Sequence, residues 1–495
     1  MTQPNCGTPP QSGTAPPARP VLAPPRKPWP VGRKERRLLP VSLLLSYLAV
    51  SFLLDWMGGR WMRLPGLGIT VLTAAWYASL FLYRGTAGLE RRVNRLLLAA
   101  AALLALTFAL FSNQWFRFWN CGALVLVLAV HTWELCGGAR LPWHRAGMLL
   151  ERLWLLAKAP FVRCGALLDT ARSARDSRKL ARSLPVLIGL AVTVPALWLV
   201  TGVLMDADAL FALAVGRLFG RTAGELGPVL ARLLLALCAT PFVFSLLYFA
   251  AHTERKTGPV RSWKKRDSLP AAILLWALDG LYLAFLAVQS AALFGGRAYL
   301  AQAGISYAEY ARSGFFQLVG LTGLNAAVIL ASLQLCRGDR RLRLPATALA
   351  ALTAVLLVSA AWRMTLYVSA YGLSFKRLLT YWGMVMLAIL LGLTVRKVWR
   401  EDFAFFRAAA PIALAGWLVL NCCNIDAIAA RYNAAQVSAG RLTRSAVEDL
   451  YYTGFSYDGL WIPEAPRLQG LRSEAAADCR SWTTWSLSAW LASRG

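Results

Sequence analysis

Charge is scarce in this sequence and unevenly signed. Only 16% of its 495 residues are charged, and 53 Lys and Arg stand against 24 Asp and Glu, a formal charge of +29. Histidine is nearly missing, with three in the whole chain. The nine cysteines form no CxxC pair or other metal-ligand spacing, so neither a zinc site nor a disulfide framework is expected. His131 and Glu134 have an i, i+3 ligand spacing, but His144 and His252 are the remaining histidines, so no metal is expected. No GxxxxGK(S/T), GxGxxG after a strand, GxSxG or HExxH occurs, which removes the common phosphate-cradling and hydrolytic motifs. No cofactor is expected.

What is abundant is apolar sequence. Hydrophobic residues make up 57% of the chain, and they come in runs of about 20, the length that spans a bilayer core at 1.5 Å per residue. This predicts an all-α, polytopic transmembrane helical bundle of about eleven spans: 38–56, 66–83, 96–111, 119–135, 184–205, 229–251, 269–294, 315–335, 346–368, 378–395 and 403–423. The connections 84–95, 140–182, 255–266, 337–343 and 396–400 are rich in Lys and Arg, whereas those around Arg60, Arg117, Arg217 and Arg297 are poorer. That alternation is what positive-inside insertion predicts, with the N-terminus cytoplasmic and the C-terminus extracytoplasmic. Because the basic residues lie in short clusters between apolar runs, the expected partner is the lipid bilayer and not nucleic acid.

Five regions follow. Residues 1–37 are a Pro-rich basic tail with no apolar periodicity; 38–135 form a first four-helix unit; 136–183 form an amphipathic cytoplasmic linker; 184–433 form the main bundle; 434–495 form a helical outer tail. In the linker, Met148, Leu149, Leu153 and Leu156 recur at helical spacing beside Arg145, Arg152 and Lys158, as in a helix lying at the headgroup level. In the tail, Trp482, Trp485 and Trp490 favour a position at the membrane interface, either packed there or as a lid.

The polar residues gather at one level. Arg363 interrupts an apolar run, and Tyr367 and Tyr371 fall on the same helical face at i+4 and i+8. With the outer ends of the neighbouring spans, this stretch brings together Gln289, Glu309, Arg312, Arg363, Tyr367, Tyr371, Lys376, Arg377, Asn424, Asp426, Arg431 and Asn433. Two readings stay open. Arg363 and Arg431 pair with Glu309 and Asp426 to set helix registry, or the excess of cations binds an anionic ligand such as a lipid headgroup. Asp279 stands alone in mid-span, a candidate for proton or ion coupling or a neutral, hydrogen-bonded carboxyl.

The stretches QSAALFGG, YAEYARSGFFQL, RMTLYVSAYGLSFKRL and NIDAIAARYN, in that order, resemble the uncharacterised bacterial integral-membrane family catalogued as domain of unknown function 4173. The chain departs from that pattern at Ile425, where the family often has proline, and in its Trp-rich tail. The resemblance implies a bacterial cell-membrane protein and transfers no catalytic residue. A transporter, a lipid-linked transferase with Asp55, Glu309 or Asp426 as base, and a scaffold or sensor all remain open. The last demands least, so a non-enzymatic binding, transport or signalling role is expected, with anionic lipid or another membrane protein as possible partners.

Overall fold

The computed structural model describes residues 32–58, 64–137, 141, 147–172, 227–252, 266–294, 315–336, 340–443, 456–458 and 469–494, with scattered positions between 189 and 215. Among them the regular structure is helical, α-helices with one 3-10 turn at Ala87–Glu90; one isolated bridge, Arg266 to Cys336, is the sole extended pairing. The first unit is α1 (Arg33–Gly58), α2 (Leu67–Arg84), α3 (Arg92–Leu110) and α4 (Gln114–Cys136), followed by α5 (Met148–Val162) and α6 (Cys164–Arg172). Then come α7 (Gly227–His252), α8 (Leu269–Phe294), α9 (Phe315–Leu335), α10 (Arg340–Tyr371), α11 (Phe375–Trp399), α12 (Phe405–Cys422) and α13 (Ile425–Ser438). Two short tail helices, α14 (Gln469–Asp478) and α15 (Leu487–Arg494), end the described chain.

Among the described residues nine helices are long and apolar enough to cross a membrane. The 18-residue α2 is a helix but not one of the nine, and most of the expected span 184–205 lies outside the described residues. Large apolar side chains cover the outward faces. On α8 alone, Trp276, Leu281, Leu283 and Val288 are exposed, a pattern suited to lipid and not to water.

Inside the bundle the buried residues are small or hydroxylated as often as large. Along α10 the inward stripe is Ala346, Leu349, Ala350, Thr353, Leu356 and Ala360, all nearly inaccessible. Lipid tails are as apolar as leucine, so close approach of small residues and interhelical hydrogen bonds hold such helices together. Helices α8, α9 and α11 pack around α10, while α7 packs chiefly against α1 and also against α5 and α6. Helix α12 contacts both α3 and α11 and so bridges the two groups. The sequence reading places α7 with the later spans; its packing is with the first ones.

The linker helix exists where the periodicity predicts it. Helix α5 lies along α7 and α4, held by Arg152, which is buried and pairs with Glu134 of α4. Leu150, Trp154 and Phe161 point outward. Glu134 thus serves an ion pair, and His131 bonds Tyr77 through Nδ1 at 2.7 Å; no group of three or more metal-ligating residues occurs among the described residues.

Candidate functional site

Caps build the polar end of the bundle. Helix α10 stops at Gly372, whose φ of +75° no β-carbon tolerates well. A Cβ there would also sit 2.8 Å from Asn433 Oδ1. Arg377, one turn into α11, donates back to the carbonyls of Tyr371 at 2.8 Å and of Gly372, and its guanidinium lies 4.3 Å from the Tyr367 ring centre. Tyr367 and Tyr371 are themselves 5.0 Å apart, ring to ring. Tyr367, Tyr371, Arg377 and Asn433 therefore form one knot that closes the α10–α11 turn.

A second cluster lies at the start of α13, which Asn424 caps by accepting from the Ala427 N–H at 3.0 Å. Asp426, 2% exposed, accepts at Oδ2 from Asn113 Nδ2 at 2.8 Å and from the Ser456 hydroxyl at 2.5 Å and N–H at 3.3 Å. Asn113 caps α4 with its other side-chain atom, accepting from the Phe116 N–H at 3.2 Å. The Ser456 hydroxyl also stands 2.7 Å from Asp458 Oδ2. Asp458, also 2% exposed, accepts from the Ser112 N–H at 3.1 Å, and Ser112 Oγ is 3.3 Å from Ser488 Oγ on α15. Burial, with Asp458 nearby, pushes the Asp426 carboxyl up to about 6, against the hydrogen bonds from Ser456 and Asn113. Burial raises Asp458 as well, opposed by its hydrogen bonds and by the charge of Arg117.

The tail reaches the same end by other routes. Gly66 and Leu67, at the start of α2, donate to the carbonyls of Thr483 and Trp485 at 2.6 and 2.9 Å. A Cβ on Gly66 would lie 2.2 Å from the Trp485 oxygen. Asp55 accepts from Arg232 at 2.5 Å and from the Trp482 indole at 3.1 Å. Trp482 and Trp485 lie in the turn between α14 and α15, and Trp490 in α15 stacks on Arg494 at 4.1 Å. Arg117, 4% exposed, gathers the carbonyls of Leu64, Phe108 and Phe111.

Of the residues singled out in the sequence, Arg377, Tyr367, Tyr371 and Asn433 meet, and Asn424 and Asp426 meet beside them. Among the described residues, Asp426 is held by Asn113 and Ser456 and not by an arginine side chain; Arg431, five residues along the same helix, is exposed, as is Lys376. Arg363 is buried at 7% and is not without a partner. Gln289 lies on α8, its side chain outside the described residues, and Glu309 and Arg312 lie outside them altogether. Asp279 is buried on α8, away from both clusters. Sequence reasoning missed Ser112, Asn113, Ser456 and Asp458. An asparagine just before an apolar helix is a cap signal that would have flagged Asn113; nothing local marks Asp458.

At the opposite end, Arg343, Arg396, Trp399, Arg400, Glu401, Asp402 and Phe403 line a cleft of about 640 Å³. Arg343 lies 3.4 Å from Glu401 there, and Arg396 stacks on Phe403 at 4.9 Å.

A family model described as domain of unknown function (DUF4153) matches residues 98–461, well over half the chain. The chain belongs to the DUF4153 family. This replaces the resemblance to domain of unknown function 4173. Where the structure describes them, two of the stretches that carried it hold helix-end chemistry: Gly372 and Ser374 at the α10–α11 turn and Asn424 at the α13 cap. Such sequences recur wherever spans end, so they discriminate poorly between membrane families. The DUF4153 match begins within α3 and takes in Asn113, Asp426 and Asp458. No curated protein and no solved structure matches the chain.

Proposed function

We propose that this DUF4153 protein is a non-enzymatic binding or signalling component of a bacterial cell membrane, with about eleven spans, a cytoplasmic N-terminus and an extracytoplasmic tail whose docking responds to protons. One observation carries the reading. Ser456 Oγ lies 2.5 Å from an Asp426 oxygen and 2.7 Å from an Asp458 oxygen, yet a serine hydroxyl has a single proton to donate. The second contact closes when one carboxyl keeps its own proton and donates it to Ser456. Docking of 456–458 on α13 and the α3–α4 turn therefore takes up a proton.

The alternative, a lipid-linked transferase, needs a base within reach of its substrate. Asp426 and Asp458 are each 2% exposed, and Asp55 is tied to Arg232 and Trp482. Of the candidate bases, Asp426 and Asp55 are thus spent on holding the tail, and Glu309 lies outside the described residues. Anionic lipid stays a partner in this reading, met by exposed Lys376 and Arg431 at this end and by the arginine-lined cleft at the other.

The sign of the pH effect follows from Asp426, whose ordinary value of 3.8 rises to about 6 when the tail is docked. Protonation favours the docked state. Its contribution is fully present below 3.8 and is lost as pH rises toward about 6. Hydrogen exchange at 456–458 and 481–485 in the full-length protein, corrected for intrinsic rates, should quicken severalfold between about pH 4.5 and about pH 7.5. In Asp426→Asn that rise should shrink. Corrected exchange that is equal at both pH values in the wild type would sink the reading.

A further inference from the structure

A polar chain crosses three helices in the interior of the second group. Tyr282 of α8 donates to Asn325 Oδ1 of α9 at 3.0 Å, and Asn325 Nδ2 donates to Thr353 Oγ1 of α10 at 2.9 Å. The Thr353 hydroxyl donates in turn to the Leu349 carbonyl at 2.6 Å. Tyr282, Asn325 and Thr353 are all buried. Tyr282 commits its one hydroxyl proton to Asn325, so toward any further group its oxygen can only accept.

Asp279 stands one turn before Tyr282. Ala272, Leu275, Asp279 and Tyr282 are the buried positions of α8, spaced so that they share a face. The carboxyl is 2% exposed, and among the described residues neither of its oxygens has a hydrogen-bond partner. An isolated ionised carboxylate in an apolar interior is costly, and such groups in membrane helices are ordinarily neutralised by a partner, an ion or a proton.

Among the described residues the surrounding charges do not supply that partner. Arg266 N–H bonds the Leu335 carbonyl at 2.8 Å, so α8 begins where α9 ends, and α10 starts at the same end. Helices α8 and α10 therefore run parallel, with Tyr282 level with Thr353. Arg363, the ionisable group on the buried face of α10 within the span, is ten residues further along, about 15 Å by helical rise, and Asp279 lies on the other side of Tyr282. Arg340, Arg341 and Arg343 sit at the near end of α10, and α9 has no ionisable side chain between Phe315 and Leu335.

We propose that Asp279, beside the Tyr282–Asn325–Thr353 chain, is an intramembrane binding site for one small cation, a proton or a sodium-sized ion. The shared chemistry is a single positive charge that neutralises the carboxylate among uncharged oxygen atoms. The site is independent of the tail latch, being built from α8, α9 and α10 alone.

The test uses full-length protein in liposomes treated with dicyclohexylcarbodiimide, which attacks protonated carboxyls in apolar surroundings, followed by peptide mass spectrometry. Label on Asp279, lost in Asp279→Asn, is expected. If the ligand is a proton, labelling falls severalfold from about pH 5.5 to about pH 8.5 and is the same in sodium and potassium buffers. If it is a sodium-sized ion, sodium lowers labelling severalfold where potassium at equal ionic strength does not. A second measurement covers a reagent that fails to reach the site: the melting temperature of wild type minus that of Asp279→Asn should shift with pH or with sodium. Absence of pH- or sodium-sensitive label, together with a melting difference indifferent to both, overturns the proposal.

Discussion

Asn433 binds Leu373 through both backbone groups: the Leu373 N–H donates to Oδ1, and Nδ2 donates to the Leu373 carbonyl, each at 2.7 Å. A side-chain amide thus replaces the partner strand this turn lacks. Asn433→Ala leaves a buried N–H and a buried carbonyl unpaired, at about 1 to 3 kcal/mol each. A clear drop in melting temperature of the purified protein is expected, and Asn433→Asp, which restores the acceptor but not the donor, should fall between. An alanine variant as stable as wild type would remove this clamp from the account.

Gly372 and Gly392 should respond oppositely to alanine. At Gly372 the φ of +75° and the 2.8 Å approach to Asn433 Oδ1 both penalise a methyl group. At Gly392, within α11, nothing lies within 4 Å of a built Cβ, and alanine is the better helix former by about 1 kcal/mol. Thermal unfolding of the two single variants decides the point. Equal effects would mean the α10–α11 turn is not strained in this way.

The Arg152–Glu134 pair anchors the linker helix. Arg152 also donates to the carbonyls of Met148 and Leu141 at 3.3 and 3.4 Å. Glu134→Ala strands a buried guanidinium and should destabilise by about 3 to 5 kcal/mol, whereas Glu134→Leu combined with Arg152→Met should cost less than the single change. The comparison is a double-mutant cycle on unfolding midpoints, and a double variant as unstable as the sum of its singles contradicts it.

Orientation is testable through thiols. An impermeant maleimide on intact cells should label Cys479 but not a cysteine placed in 255–266. Burial pushes the Cys479 thiol up, so its labelling should be slow near neutrality and quicken as pH rises and thiolate forms. Labelling only of the 255–266 site reverses the proposed orientation.

The helices were legible because twenty-residue apolar runs have few alternatives to spanning a bilayer. Even α5 announced itself by its period. Half of the polar end was legible too: Arg377 and Tyr367 lie within one turn of a helix boundary, where sequence neighbours are spatial neighbours. Arg363 is marked by its charge inside an apolar run, and it is buried at 7%.

What the chain's order alone determined, then, is local: which segments are helical, that they are apolar enough for lipid, and where helices stop. What tertiary structure decided is which polar groups meet. Asn113 and Asp426 are 313 positions apart, and Ser112 and Asp458 are 346 apart. No period links such pairs, and each partner taken alone reads as an ordinary loop or cap residue. The two acids flank one serine hydroxyl only because α12 brings the later bundle against α3 and the tail folds back over both. That juxtaposition is a property of packing, set by close contacts of small residues and by the cost of burying a polar group unpaired.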